Sequence, residues 1–157
     1  NIVRSTPFVV LLVAIMPVTK FLIGTRIGAT AAIVPLTVNA IPLLTRLFEN
    51  SLLDTGNGIL EAALAMGATP LQLVTKFILP ESLGSVILSL TTGIVGLIGA
   101  SAMAGYVGGG GIGALVLNYG YNRFNFTLMY SLVVVLIIIT QCIQSLGNFF
   151  AGKARRK

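Results

Sequence analysis

The sequence has no histidine, one cysteine and only four acidic residues in 157. Cys142 alone cannot close an internal disulfide, and without a second thiol or an imidazole there is no zinc ligand set. No cluster of His, Asp, Glu or Cys falls inside the apolar segments. No catalytic residue and no metal ligand is therefore assigned, and the chain is expected not to be an enzyme. Charge of either sign is scarce, at 9% of residues, against about 25% in soluble domains. The stretches from Ser82 to Asn122 and from Phe124 to Gly152 carry none. Such runs, in a sequence that is 55% hydrophobic, point to membrane-spanning helices and an all-α fold. The first apolar run is not a signal peptide, because no basic n-region and small-residue cleavage site flank it. The chain opens on Asn1 directly beside that run and is expected to be a fragment missing its N-terminus.

Four apolar segments are present: 7–24 with Pro17 inside, 28–53 with Pro35 and Pro42 inside, 83–107, and 126–149. A span needs roughly 20 residues. Interior prolines are tolerated in a membrane because neighbouring helices satisfy the freed carbonyls, so a bent second helix in a bundle is expected. Four spans put the N-terminus, residues 51–82 and the C-terminus on one side. That side holds Arg4, Arg46, Lys76, Lys153, Arg155, Arg156 and Lys157; the other holds Lys20, Arg26 and Arg123. The positive-inside rule makes the first side cytoplasmic. The net charge of +6 comes from these flanks rather than from a basic stripe, which argues against nucleic-acid binding.

All four acids (Glu49, Asp54, Glu61, Glu81) lie in or beside the cytoplasmic stretch 51–82. A membrane protein that keeps its acids there presents that loop to something soluble. It reads as two short helices. Asn57 or Gly58 caps the first, with Glu61 near its positive end and Gly67 as the residue that ends it. Thr69-Pro70-Leu71-Gln72 opens the second as a capping box with Pro at the first helical position. Leu71, Val74 and Ile78 lie along one face, and Pro80 ends that helix or opens the next span. Arg46 and Glu49, three apart, can pair within one helix; they serve as an interfacial anchor or as a gate contact to the loop.

Gly93, Gly96, Gly99 and Gly105 in the third segment, with Ser89, Thr92 and Ser101 among them, allow close helix approach. They mark plain packing, or a face lining a pathway or a dimer seam. The run Gly108–Gly111 is followed by Ile112-Gly113-Ala114 and lacks the Lys and Ser/Thr of a phosphate loop. The chain is thus not expected to bind ATP itself, and the glycines are expected to form an external turn. Met103, amid small residues, reads as a flexible filler of packed space.

The string Glu61-Ala62-Ala63, then Gly67, then Ile78-Leu79-Pro80 resembles the cytoplasmic EAA loop of ABC importer permeases. The stretches Val3-Arg4-Ser5-Thr6-Pro7-Phe8, Ala31-Ala32-Ile33-Val34-Pro35-Leu36-Thr37, Ala65-Met66-Gly67-Ala68-Thr69-Pro70, Ser101-Ala102-Met103-Ala104-Gly105, Gly110-Gly111-Ile112-Gly113 and Tyr119-Gly120-Tyr121 resemble the methionine ABC permeases, over essentially the whole chain. The resemblance implies a polytopic transmembrane helix bundle of five spans, of which four are present here. Residues 1–157 would be a permease domain without its first span, with 51–82 as its EAA loop. Glu61, Ala62, Ala63, Met66, Gly67, Ala68, Thr69 and Pro70 would form the coupling helix that sits in a cleft of a separate ATP-hydrolysing subunit. Met103, with Ser101 and Tyr106 nearby, would narrow the pathway at the two-fold axis. The implied partners are a second copy of the chain, that ATPase with its ATP-Mg, an extracytoplasmic methionine-binding lipoprotein and membrane lipid. The chain itself would hold no cofactor, and its place would be the bacterial inner membrane. The competing expectations are an ATPase-independent channel or scaffold and an ABC permease for another small amino acid.

Overall fold

The computed structural model describes residues 6–155, so Arg4, Arg156 and Lys157 lie outside the described residues, as does the Tyr106 side chain. Among the described residues there are helices and no strands. In chain order they are α1 (Phe8–Ala14), α2 (Met16–Ile23), α3 (Ala29–Leu53), α4 (Asn57–Ala65), α5 (Pro70–Ala104), α6 (Gly111–Leu115) and α7 (Phe126–Arg155). Three of them, α3, α5 and α7, are long and apolar enough to cross a membrane, at 25, 35 and 30 residues.

The first apolar segment differs from a single span. It is divided at Ile15 into helices of seven and eight residues, because Pro17 enters at the start of α2 without an N–H to continue the ladder of α1. Gly24, left-handed at φ 86°, then ends α2. In α3, by contrast, Pro35 and Pro42 are absorbed in one continuous helix.

Pro80 opens the α-helical part of the third span, as the second residue of Leu79–Ala104. It lies inside α5, just after a π-helical turn at Leu73–Ile78 whose closing bond runs from the Leu79 N–H to the Val74 carbonyl. The wider turn changes the ladder where proline can donate nothing. As a result, the second short helix expected in 70–80 and the third span are one element.

By packing, the chain divides into two compact units, Asn1–Leu43 with Ile94–Cys142, and Leu44–Gly93 with Ile143–Lys157. In the first, Leu12, Ala32 and Ala104 form a small buried core, flanked by Phe8, Met16, Leu36 and Val107. The glycine run does more than turn the chain. Gly108 and Gly110 take left-handed φ of 73° and 72°, and α6 then folds back onto the end of α5. There Gly113 lies against the Ala102 backbone and Gly105 against Ala114. A second π-helical turn, Val116–Tyr121, follows α6, and Asn125 caps α7 by accepting from the Leu128 N–H at 3.1 Å.

In the second unit the closest approaches are again made at small residues: Gly84 lies under the Arg155 side chain, Gly93 under Leu44 and Gly147 under Thr91. Among the described residues no large side chain is fully buried, whereas the small Ala63, Ala104 and Ala151 are at most 2% exposed. This is the packing of helices that meet backbone to backbone and turn their large apolar side chains outward, as expected in lipid.

Candidate functional site

The elbow between α3 and α5 belongs wholly to the second unit. Its first helix begins one residue earlier than expected: Gly56 is the N-cap, with no side-chain cap bond, and Asn57 is already helical. Glu61 is therefore beyond the first turn, where the helix dipole has largely faded. Its carboxylate stands exposed, and among the described residues the one ion pair is Arg46–Glu49, at 2.7 Å on α3 with both side chains half exposed. Such a surface pair contributes only a few tenths of a kcal/mol.

The exit from α4 follows from Gly67. At φ 78° it lets the Gly67 N–H reach the Leu64 carbonyl (2.9 Å) and the Ala68 N–H reach the Ala63 carbonyl (3.0 Å), the two bonds of a Schellman ending. Two residues on, Thr69 and Gln72 form the reciprocal capping box. The Gln72 side chain accepts from the Thr69 N–H at 3.0 Å, and the Thr69 hydroxyl accepts from the Gln72 N–H at 3.4 Å, with Pro70 at the first helical position. Thr69→Ala is expected to remove about 1 kcal/mol from this helix start, seen as faster amide exchange over residues 71–73 with no loss of protein from the membrane.

Of the eight elbow residues singled out in the sequence, Ala63 is wholly buried while Glu61, Ala62, Met66, Gly67, Thr69 and Pro70 are exposed and Ala68 is half-buried. α4 packs on the π-helical turn of α5, and the methyl of Ala63 suits that close approach. The outer surface carries Leu64, Met66 and Leu71, with Met66 71% and Leu71 74% exposed. These exposed apolar side chains stand on the same elbow as the exposed Glu61 carboxylate.

Met103 and Ser101 are not brought together. Ser101 lines an apolar cavity of about 380 Å³ between α3 and α5, with Ile33, Leu36, Thr37 and Ile98. Met103 lines another, of about 290 Å³, with Gly113, Val116 and Leu136. The Ser101 hydroxyl is turned to its own helix, donating to the Ile98 carbonyl at 2.8 Å. Two residues apart on a helix, the two side chains point to different sides.

Two polar features were missed from sequence. Ser51, Ser85 and Ser89 join α3 to α5 by hydrogen bonds. Beside them a polar cleft of about 330 Å³ is lined by Asp54, Thr55, Glu81, Ser82 and Arg155. The buried Thr55 hydroxyl there has no hydrogen-bond partner among the described residues. The only signal was serine at a four-residue spacing, 85 and 89, in an apolar run, and nothing in the residue order pairs it with Ser51.

Three apolar helices of spanning length, two of them joined through the elbow, define a multi-pass α-helical membrane protein. The chain belongs to the family of binding-protein-dependent transport system inner membrane components, whose model matches residues 1–156. It is 54% identical over 148 residues to the probable D-methionine transport system permease protein MetI of Vibrio cholerae, covering 94% of this chain and 66% of that protein. To the corresponding protein of Pasteurella multocida it is 47% identical over 153 residues, covering 98% and 70%. The chain thus spans about two-thirds of the length of these relatives. Its fold matches a chain of the inward-facing MetNI methionine ABC transporter with a TM-score of 0.90 at 45% identity, over 98% of this chain and 71% of that one.

Proposed function

We propose that this chain is the permease subunit of an ATP-binding-cassette importer for methionine, D or L, in the bacterial inner membrane. Two copies frame the pathway. A separate ATP-hydrolysing subunit docks on each elbow, and an extracytoplasmic methionine-binding lipoprotein delivers the cargo. The observation that carries this reading is the 54% identity to a D-methionine permease over 94% of the chain.

The roles of the elbow residues follow from their chemistry. Leu64, Met66 and Leu71 offer an exposed apolar surface and Glu61 a carboxylate with no ion-pair partner among the described residues, together suited to a cleft with an apolar floor and a basic rim. The elbow and the C-terminus lie on the side richer in Lys and Arg, which is cytoplasmic. Met103 narrows the pathway at the two-fold axis of the dimer, and Ser101, on another side of α5, stands apart from that constriction. The transported amino acid undergoes no covalent change. ATP binding on the partner needs only to favour one helix arrangement over another, so hydrolysis belongs to the partner and none to this chain.

The test is uptake by the full-length subunit reconstituted with its ATP-binding subunit. Labelled methionine is expected to accumulate only when ATP and the binding protein are both present, and to be displaced by unlabelled methionine but not by glutamine. Accumulation without ATP would make the chain a channel; uptake of another amino acid that methionine does not compete away would change the cargo.

A further inference from the structure

Ser51, one turn from the end of α3, is 3% exposed. Its hydroxyl lies 2.6 Å from that of Ser89 on α5 and within reach of two carbonyls, those of Leu47 (3.0 Å) and Ser85 (3.2 Å). The Ser89 hydroxyl in turn reaches the Leu47 carbonyl at 3.1 Å. Each hydroxyl has one proton to give. In one arrangement Ser51 donates across to Ser85 and Ser89 donates back across to Leu47. In the other Ser89 donates to Ser51, which donates to Leu47 within its own helix. Both arrangements join α3 to α5. Further along, Leu44 and Leu47 of α3 fill the space over Gly93 of α5. Residues 44–51 and 85–93 are thus zipped antiparallel, hydrogen-bonded at the elbow end and packed at the other.

These are the two legs from which the elbow hangs. A push on α4 can do one of two things: splay the legs apart, or carry them together. Ser51 is buried although it and Ser85 border the polar cleft, so separating the legs would break every bond between the two hydroxyls and the carbonyls they serve across the helix pair. We propose that Ser51 and Ser89 are positioning residues, a clamp that makes the elbow and its two legs a single rigid lever which stays closed throughout the transport cycle. The inference rests on the reading of the chain as an importer permease.

The experiment uses the complete transporter, with Cys142, an exposed free cysteine, first replaced by serine. In Ser51→Val/Ser89→Val the clamp is lost. Methionine taken up per ATP hydrolysed is expected to fall about three- to tenfold, the range that one interhelical hydrogen bond in a bilayer supports. A merely structural role would lower uptake and hydrolysis together and leave that ratio alone. In Ser51→Cys/Ser89→Cys the reduced protein is expected to show the same fall. Oxidation should join the two thiols and restore the ratio, because a covalent bond then does the work of the hydrogen bonds. The proposal is overturned if the disulfide does not form, if the oxidised transporter stops pumping while the reduced one pumps (the legs must then part during the cycle), or if the valine pair keeps the full ratio. Failure of the parent transporter to couple ATP to uptake at all would instead strike the functional reading.

Discussion

Gly67→Val is expected to cut co-purification of the ATP-binding subunit about tenfold while leaving the amount of permease in the membrane unchanged. The reason is local. Gly67 sits at φ 78°, and a Cβ placed there would meet nothing within 4 Å. The penalty is therefore backbone strain and not collision. A left-handed conformation costs an ordinary residue about 1–2 kcal/mol, and a β-branched one suffers most; 1.4 kcal/mol is tenfold in binding. Relief of the strain breaks the two bonds that end α4 and swings Leu64 and Met66 away from Leu71, dividing the exposed surface. Gly67→Asn tolerates the left-handed region and should recover most of the binding. Pull-down by the valine variant at the parental level would show that this elbow is not where the motor subunit docks.

Gly147→Leu should remove most of the folded protein from the detergent-solubilised membrane fraction. Gly147, on α7, faces Thr91 of α5 so closely that even a Cβ has no room. Thr91 is held in place by its own hydroxyl, which donates to the Ile87 carbonyl at 2.8 Å. A leucine must push α7 off α5, and overpacking of this kind costs 1–3 kcal/mol or more, roughly per site. Gly152→Leu is the control, because nothing lies within 4 Å of that glycine on the same helix. Both changes make α7 more apolar and so favour insertion into the bilayer. A loss confined to position 147 can then come only from helix packing. Equal behaviour of the two variants in a size-exclusion and melting assay would rule out the α5–α7 contact.

The same pair of glycines shows how far residue order alone can be read. Positions 147 and 152 are indistinguishable as letters in an apolar run; one is a contact and the other is open. The caps are a different matter. Thr69-Pro70-Leu71-Gln72 and Gly67 were placed correctly because their bonds close over three to five residues, a distance that spacing encodes directly. The second and fourth apolar segments were found to within a residue at their N-terminal ends, since a bilayer selects on length and hydropathy. The first was not, because Pro17 can be absorbed or can divide a helix depending on what packs around it, and α3 absorbs two prolines. The glycine run was taken for a simple turn because the return of α6 onto α5 is a long-range contact between small residues.

The family resemblance and the elbow string were legible for the same reason as the caps: they are contiguous. The serine clamp was not, since its partners are 38 residues apart. Composition, charge placement and short-range spacing were enough to establish an α-helical membrane chain, the second and fourth of its apolar segments, and the turn that ends α4 with the capping box that follows it. Folding in three dimensions chose which glycines receive a neighbour, which hydroxyls find each other, that a widened turn just before Pro80 joins the capping-box helix to the third span, and that Ser101 and Met103 line different cavities. The division has a physical origin. Hydropathy and capping act between residues already held close by the chain, whereas helix contacts bring together residues whose separation along it says nothing about their distance in space.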